Sequence, residues 1–160
     1  MDTASRIPFD RESCFPNLFS SGYGKSSDED FEYNCVAWAA GEENTQEWWD
    51  PLALGPGYYW PNGLQRNTEV DTFVKLYELV GGYVACDHVG LEEGFEKIAL
   101  YSNAQGEFTH AARQKEDGIW TSKLGDWEDI EHRTLSGLSG NAPAYGSVAK
   151  ILKRPRLAQA

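Results

Sequence analysis

Residues 68–82 read TEVDTFVKLYELVGG, and they predict the clearest helix of the sequence. Thr68 suits the N-cap position, and Asp71 follows three residues later, as in a capping box. Gly81–Gly82 ends the segment as a helix C-terminus does. The apolar residues recur at helical spacing: Val70, Phe73, Val74 and Tyr77. We therefore expect one face of this helix to pack against the rest of the fold.

The pattern changes after this helix. Four short segments, separated by glycine-containing turns, are typical of strands; they are GYVACDHV, EKIALYSN, GEFTHAARQ and GIWTSKLG. The turn KEDG (115–118) predicts a hairpin between the third and fourth segments, and 144–154 (AYGSVAKILKR) predicts a last strand. Helices first and a small antiparallel sheet afterwards indicate an α+β fold.

The region before residue 68 is less regular. Residues 1–30 are rich in Gly, Pro and Ser and predict an irregular arm. A short helix is expected from about Asn34 to Ala40, and the pair Trp48–Trp49 continues or follows it. Residues 50–63 carry many turn-forming residues, so we expect no regular element there. With no repeat or linker in 160 residues, residues 1–160 are expected to form a single domain.

Composition limits the function classes. The formal net charge is -11, and such a field repels phosphate backbones and anionic lipid, so we expect neither a nucleic acid nor a membrane partner. No apolar run reaches the length of a membrane span. The odd count of 3 cysteines argues against a disulfide framework and predicts a cytoplasmic protein. Export by a dedicated secretion system remains the open alternative.

Two residues suggest thiol chemistry. Cys35 stands at the start of the predicted helix NCVAWA, and His110 lies inside the predicted strand GEFTHAARQ. A helix start and a nearby imidazolium both lower the pKa of a thiol, and the imidazole can then return a proton to a leaving group. The pattern therefore predicts a cysteine nucleophile with a histidine partner.

These motifs resemble the papain-like cysteine peptidase and amidase fold, in the style of the compact bacterial NlpC and CHAP amidases. The resembling motifs are NCVAWA at a helix start and FTHAARQ–turn–GIWTSKLG, and the resemblance covers roughly residues 30–132. It implies that a nucleophilic Cys35 opens a helix that packs on an antiparallel sheet. It also implies that His110 is the general base and that a polar residue of a neighbouring strand orients it.

The orienting residue departs from the family pattern of Asn, Asp, Glu or His. A tight KEDG hairpin places Ser122, Lys123 or Leu124 opposite His110, and of these we favour Ser122, whose hydroxyl can accept from the imidazole. Lys123 is a donor only while it is charged. Asp126 and His132 are the further alternatives, and a dyad without an orienting residue is another.

Asn34 has two interpretations. Its side-chain amide could donate to the oxyanion of the reaction, beside the backbone N–H of Cys35. Asparagine is also a favoured N-cap, in which case its oxygen bonds the helix and its role is structural. The sequence does not choose between them.

Other clusters of reactive residues are weaker. Cys86 and His88 would share one face of a strand, but two ligands do not make a closed zinc site, so we expect no metal and no cofactor. Cys14 lies in the predicted arm, where a preorganised nucleophile is not expected. The acidic run WEDIEH (127–132) is expected to be a solvated turn.

The sequence thus predicts a thiol-dependent hydrolase that cleaves an amide or peptide bond through a Cys35 thioester. Its partner would be a peptide or another amide-containing substrate. The aromatic residues within 48–49 (WW) and 58–61 (YYWP) could line a substrate groove. One alternative is a toxin-type or effector-type deamidase or transferase with the same site. The other is a catalytically inactive papain-like module that binds a partner. The oligomeric state stays open.

Overall fold

The computed structural model describes residues 6–27, 34–40, 48–124 and 127–156. The helices are α1 (Phe9–Glu12), α2 (Leu18–Ser21), α3 (Cys35–Ala39) and α4 (Val70–Gly81), with a 3₁₀ turn at Leu135–Leu138. The strands are β1 (Tyr23–Ser27), β2 (Trp48–Trp49), β3 (Tyr58–Tyr59), β4 (Val84–Cys86), β5 (Phe95–Ser102), β6 (Phe108–Gln114), β7 (Trp120–Lys123), β8 (Asp129–His132) and β9 (Ser147–Pro155).

One antiparallel sheet organises these elements. It has 7 strands in the order β1-β8-β7-β6-β5-β9-β4, and β2 pairs with β3 in a separate parallel ladder. The α+β fold class is therefore confirmed. The sheet is larger than expected, and the helices are not a separate N-terminal block, because β1, β2 and β3 precede α4 along the chain.

The two faces of the sheet carry separate hydrophobic clusters. Ala111 and Ala112 are neighbours on β6 and point to opposite faces. Ala111 packs with buried side chains of α3 and α4, in a group that we call the α3 cluster. Ala112 packs with side chains of the N-terminal segment and the 3₁₀ turn, in a group that we call the α2 cluster. Both faces are therefore covered.

Helix α4 forms where the apolar spacing predicts it. Val70, Phe73 and Tyr77 are buried in the α3 cluster, and Gly82 ends the helix in the left-handed conformation at φ 69. The predicted capping box does not form. Glu69 is the N-cap, and the hydroxyl of Thr68 instead donates to Glu107 of the sheet.

The β6–β7 hairpin is also confirmed. The N–H of Lys115 donates to the carbonyl of Ile119 at 2.8 Å, and the N–H of Gly118 donates back to Lys115 at 3.0 Å. Gly118 has a φ of 89, which other residues rarely adopt. The first predicted strand, GYVACDHV, shortens to the three residues of β4.

Three predictions about irregular segments are wrong. Strand β3 lies within residues 50–63, where no regular element was expected, and it forms by pairing with β2. The described part of the N-terminal arm holds α1, α2 and β1, while residues 28–30 lie outside the described ranges. Glu12 is buried there, because Arg6 and the hydroxyl of Tyr23 both donate to its carboxylate. The run WEDIEH is not a solvated turn: β8 occupies its second half, between β1 and β7.

The described helices include none that is both long and apolar enough to cross a membrane.

Candidate active site

A chain of hydrogen bonds joins two buried histidines through one serine. The Nε2 of His110 lies 2.9 Å from the Oγ of Ser122. The same Oγ lies 2.7 Å from the Nε2 of His132, and the Nδ1 of His132 lies 2.9 Å from the carbonyl oxygen of Thr134. All three side chains are fully buried.

Strand register explains why these side chains meet. Ser122 of β7 pairs with Ile130 of β8, and His132 follows two residues later on the same face. His110 lies on β6, the other neighbour of β7, and its ring reaches Ser122 from that side. The three strands therefore present one row of polar atoms across the sheet.

The end of this chain fixes the direction of every proton in it. The carbonyl of Thr134 can only accept, so the Nδ1 of His132 donates and its Nε2 accepts when the ring is neutral. The hydroxyl of Ser122 must then donate to His132, and its lone pair accepts from the Nε2–H of His110. His110 is left with an unprotonated Nδ1.

Burial keeps both rings neutral. It lowers the pKa of His132 from 6.5 to about 4, although the bond to Thr134 acts in the opposite direction. Burial also lowers the pKa of His110 well below 6.5, and the positive charge of a protonated His132 would add to this effect. Neutral imidazoles are the state for which the hydrogen-bond directions above hold.

The Nδ1 of His110 is buried and has no hydrogen-bond partner among the described residues. Its ring stacks on Tyr145, with centroids 4.2 Å apart and planes at 4°, and it also contacts Tyr101. A buried acceptor without a donor costs about 1–3 kcal/mol. A general base needs an unprotonated nitrogen on a ring whose orientation is fixed, and the His110 ring has both features.

Cys35 begins α3 and is only 9% exposed. Burial raises the pKa of its thiol to about 11. The N–H of Ala111, those of Cys35 and Val36, and the positive charge of Lys123 act in the opposite direction but do not overcome burial. The expected lowering of the thiol pKa is therefore wrong for this state, since α3 has only 5 residues and little helix field to offer.

The thiol and the imidazole belong to different packing groups. Cys35 packs in the α3 cluster, whereas the ring of His110 contacts Tyr101 and Tyr145, which belong to or pack against the α2 cluster. The N–H of Ala111, the residue after His110, interacts with the Cys35 sulfur.

Tyr145 also adjoins both groups. Burial, and then the negative charge of an ionised Cys35, raise the pKa of its hydroxyl. No hydrogen bond links the sulfur of Cys35 to the Nδ1 of His110, which has no partner among the described atoms.

Asn34 serves as the N-cap of α3. Its Oδ1 accepts from the N–H of Ala37 at 3.2 Å and from the N–H of Trp49 at 3.3 Å. Its Nδ2 donates to the carbonyl of Trp49 at 3.0 Å. Both ends of the amide are thus engaged by the fold, and this arrangement favours the structural interpretation over the oxyanion role.

The remaining candidates are scattered. Asp126 lies outside the described residues. Lys123 is buried, donates to the carbonyl of Trp127 and lies 4.0 Å from Asp129. Trp49 and Trp60 of the predicted groove are each 6% exposed, so they belong to the core and do not line an open groove.

Sequence reasoning missed Tyr145 and the carbonyl of Thr134. Tyr145 comes from the loop before β9, and only the folded chain brings it onto His110. Thr134 is a backbone contact, which side-chain type does not reveal.

Comparison with known proteins gives one match. A family model described as a domain of unknown function, DUF7689, matches residues 24–153. The chain belongs to this family. The matched range includes Cys35, His110, Ser122, His132 and Tyr145. No curated protein and no solved structure matches the chain.

Proposed function

We propose that this protein is a thiol-dependent hydrolase of papain-like type, which cleaves an amide or peptide bond through a thioester on Cys35. The observation that carries the proposal is the Nδ1 of His110, which has no partner in the described part of the protein and is kept unprotonated by the hydrogen bonds through Ser122 and His132. Buried unpaired polar atoms are rare in folded proteins, and a catalytic role is one of their accepted explanations.

The proposed thioester reaction uses the unprotonated Nδ1 of His110 as its base. The Nδ1 of His110 takes the thiol proton while the sulfur of Cys35 attacks the substrate carbonyl. The same nitrogen then gives this proton to the leaving amine as the tetrahedral intermediate collapses to a thioester. A water molecule, deprotonated at Nδ1, attacks the thioester, and the sulfur leaves with the proton as the acid product departs.

The surrounding groups suit this sequence. The N–H groups of Cys35 and Val36 face the sulfur and are available to the developing oxyanion. Ser122 and His132 are positioning residues, because they hold the tautomer of His110 without reaching the substrate. The stacked ring of Tyr145 restricts rotation of the imidazole.

In the resting state the pair is neutral, unlike a preformed thiolate–imidazolium pair. At pH 7 a thiol of pKa about 11 is ionised in on the order of one molecule in 10,000. Proton transfer must therefore accompany attack on the substrate. The thiol also has to become accessible when substrate binds, since it is 9% exposed.

A second candidate is an inactive papain-like module that binds a partner. The burial of Cys35 favours it, because a buried thiol with a raised pKa is a poor nucleophile. In this case Cys35 is core packing and the histidine chain stabilises the sheet alone.

Amide hydrolysis separates the two candidates. The purified protein would be incubated with a library of peptide amides and side-chain glutamine amides, and the products identified by mass spectrometry. We expect a product whose formation stops in Cys35→Ser and His110→Ala and continues in Cys14→Ser and Cys86→Ser. Product formation that persists in Cys35→Ser would refute the proposed nucleophile, and a complete absence of hydrolysis would favour the binding module.

A further inference from the structure

The loop between β4 and β5 gathers three side chains that the proposed hydrolase does not use. These are Cys86, His88 and Glu92, and one ligand atom from each lies within 4.8 Å of the other two. The Nε2 of His88 is 3.3 Å from a carboxylate oxygen of Glu92. The sequence supplied only the first two as a pair, and the fold of the loop adds the third.

We propose that Cys86, His88 and Glu92 bind a divalent transition-metal ion of the zinc class. A thiolate, an imidazole and a carboxylate form a ligand set that zinc accepts, whereas calcium and magnesium require oxygen ligands. Three protein ligands leave a fourth tetrahedral position open. Half of the His88 side chain is exposed, at 56%, so a water molecule can occupy that position.

A buried lysine preorganises the loop. The side chain of Lys97 is fully buried, and its Nζ donates to the carbonyls of His88 at 3.1 Å and Gly90 at 2.8 Å. It also lies 3.2 Å from the Nδ1 of His88, which sets the orientation of the ring. The two carbonyl bonds hold the backbone of the loop in place.

Charge is the main obstacle, because cations already surround the carboxylate. Lys153 lies 2.8 Å from Glu92, and Lys97 lies 3.5 Å from it. Loss of the thiol proton offsets part of this cost, because Cys86 binds the ion as a thiolate.

The imidazole keeps one proton when it binds the ion. With the ion on Nε2, the ring proton lies on Nδ1, so the Nζ of Lys97 gives up that contact and keeps its bonds to the carbonyls of His88 and Gly90. Two positive charges arrive and the thiol proton leaves, so the net charge of the cluster rises by one.

Cobalt titration tests this site without any enzyme assay. Co²⁺ would be added to the full chain in the presence of a non-thiol reductant, and thiolate-to-cobalt charge-transfer absorption would be recorded. We expect a saturable band that is lost in Cys86→Ser and retained in the matched variant Cys14→Ser. Affinity should fall by at least about tenfold in His88→Ala.

Thermal unfolding provides the second measurement. Zn²⁺ should raise the melting temperature of the wild type and of Cys14→Ser but not that of Cys86→Ser, whereas Mg²⁺ should change none of them. No charge-transfer band, or a band that survives in Cys86→Ser, would overturn the site. Circular dichroism of each variant shows whether it has folded, so loss of the fold is distinguished from loss of a ligand.

Discussion

Replacing His132 by glutamine should flatten the acid limb of the stability curve. In the unfolded chain this histidine binds a proton near pH 6.5, but in the folded protein burial lowers its pKa to about 4. Between these values the unfolded state holds more protons, so acid favours unfolding. Stability from this group is therefore complete above pH 6.5 and declines as the pH falls towards 4.

The structure sets the magnitude. The gap between 6.5 and about 4 corresponds to about 3 kcal/mol of unfolding free energy, since one pKa unit is worth about 1.4 kcal/mol. A glutamine does not titrate and removes this contribution. The lowered pKa of His110 also makes the protein less stable in acid. His132→Gln therefore keeps part of the dependence of unfolding free energy on pH.

Urea unfolding at several pH values between 7 and 4 measures the effect. The wild type should lose about 3 kcal/mol more than His132→Gln over this range, whatever the absolute stability of the variant. Only the two slopes are compared, because the substitution also disturbs the bonds to Ser122 and Thr134. Equal slopes would refute a buried, neutral His132.

Three further predictions concern the thiol, the cap and the loop. In a Cys14→Ser/Cys86→Ser background, the rate of Cys35 alkylation by iodoacetamide should rise about tenfold per pH unit from pH 7 to 10, because the thiol pKa is about 11; a plateau near pH 8.5 would contradict this. Asn34→Ala should lower the urea unfolding free energy by about 1–3 kcal/mol, because the N–H groups of Ala37 and Trp49 lose their acceptor; an unchanged unfolding free energy would argue against the cap. Gly146→Ala should cost about 2–4 kcal/mol, since a Cβ there would lie 2.0 Å from the carbonyl oxygen of Ser102 at a φ of +82; Gly24→Ala, with no atom within 4 Å, is the control, and equal stability of the two variants would refute the clash.

Local patterns predicted the elements that are decided locally. The apolar spacing of α4, the glycine after it and the KEDG turn all act within a few residues, and each appears in the fold. Strand β8 was missed because its residues look polar. Asp129, Ile130 and His132 become buried only when β1 and β7 pair on either side.

The features of the candidate site also divide into those that local sequence predicts and those that depend on the folded chain. Residue type and spacing selected Cys35 and His110, and the hairpin narrowed the residue opposite His110 to three, of which Ser122 was favoured. The proton directions depend on the register of β7 with β8 and on one backbone carbonyl, which no local pattern contains. The sign of the Cys35 pKa shift was missed because burial depends on the complete α3 cluster.

Acylation of Cys35 is the most direct test of the proposed thiol site, because it requires no knowledge of the natural substrate. The Cys14→Ser/Cys86→Ser protein would be mixed rapidly with p-nitrophenyl acetate, the release of p-nitrophenol followed, and the acylated residue located by peptide mass spectrometry. We predict a burst that leaves an acetyl thioester on Cys35, is abolished in His110→Ala and is slowed in Ser122→Ala. An unacylated Cys35, or acylation at the same rate in His110→Ala, would contradict the proposed thiol site.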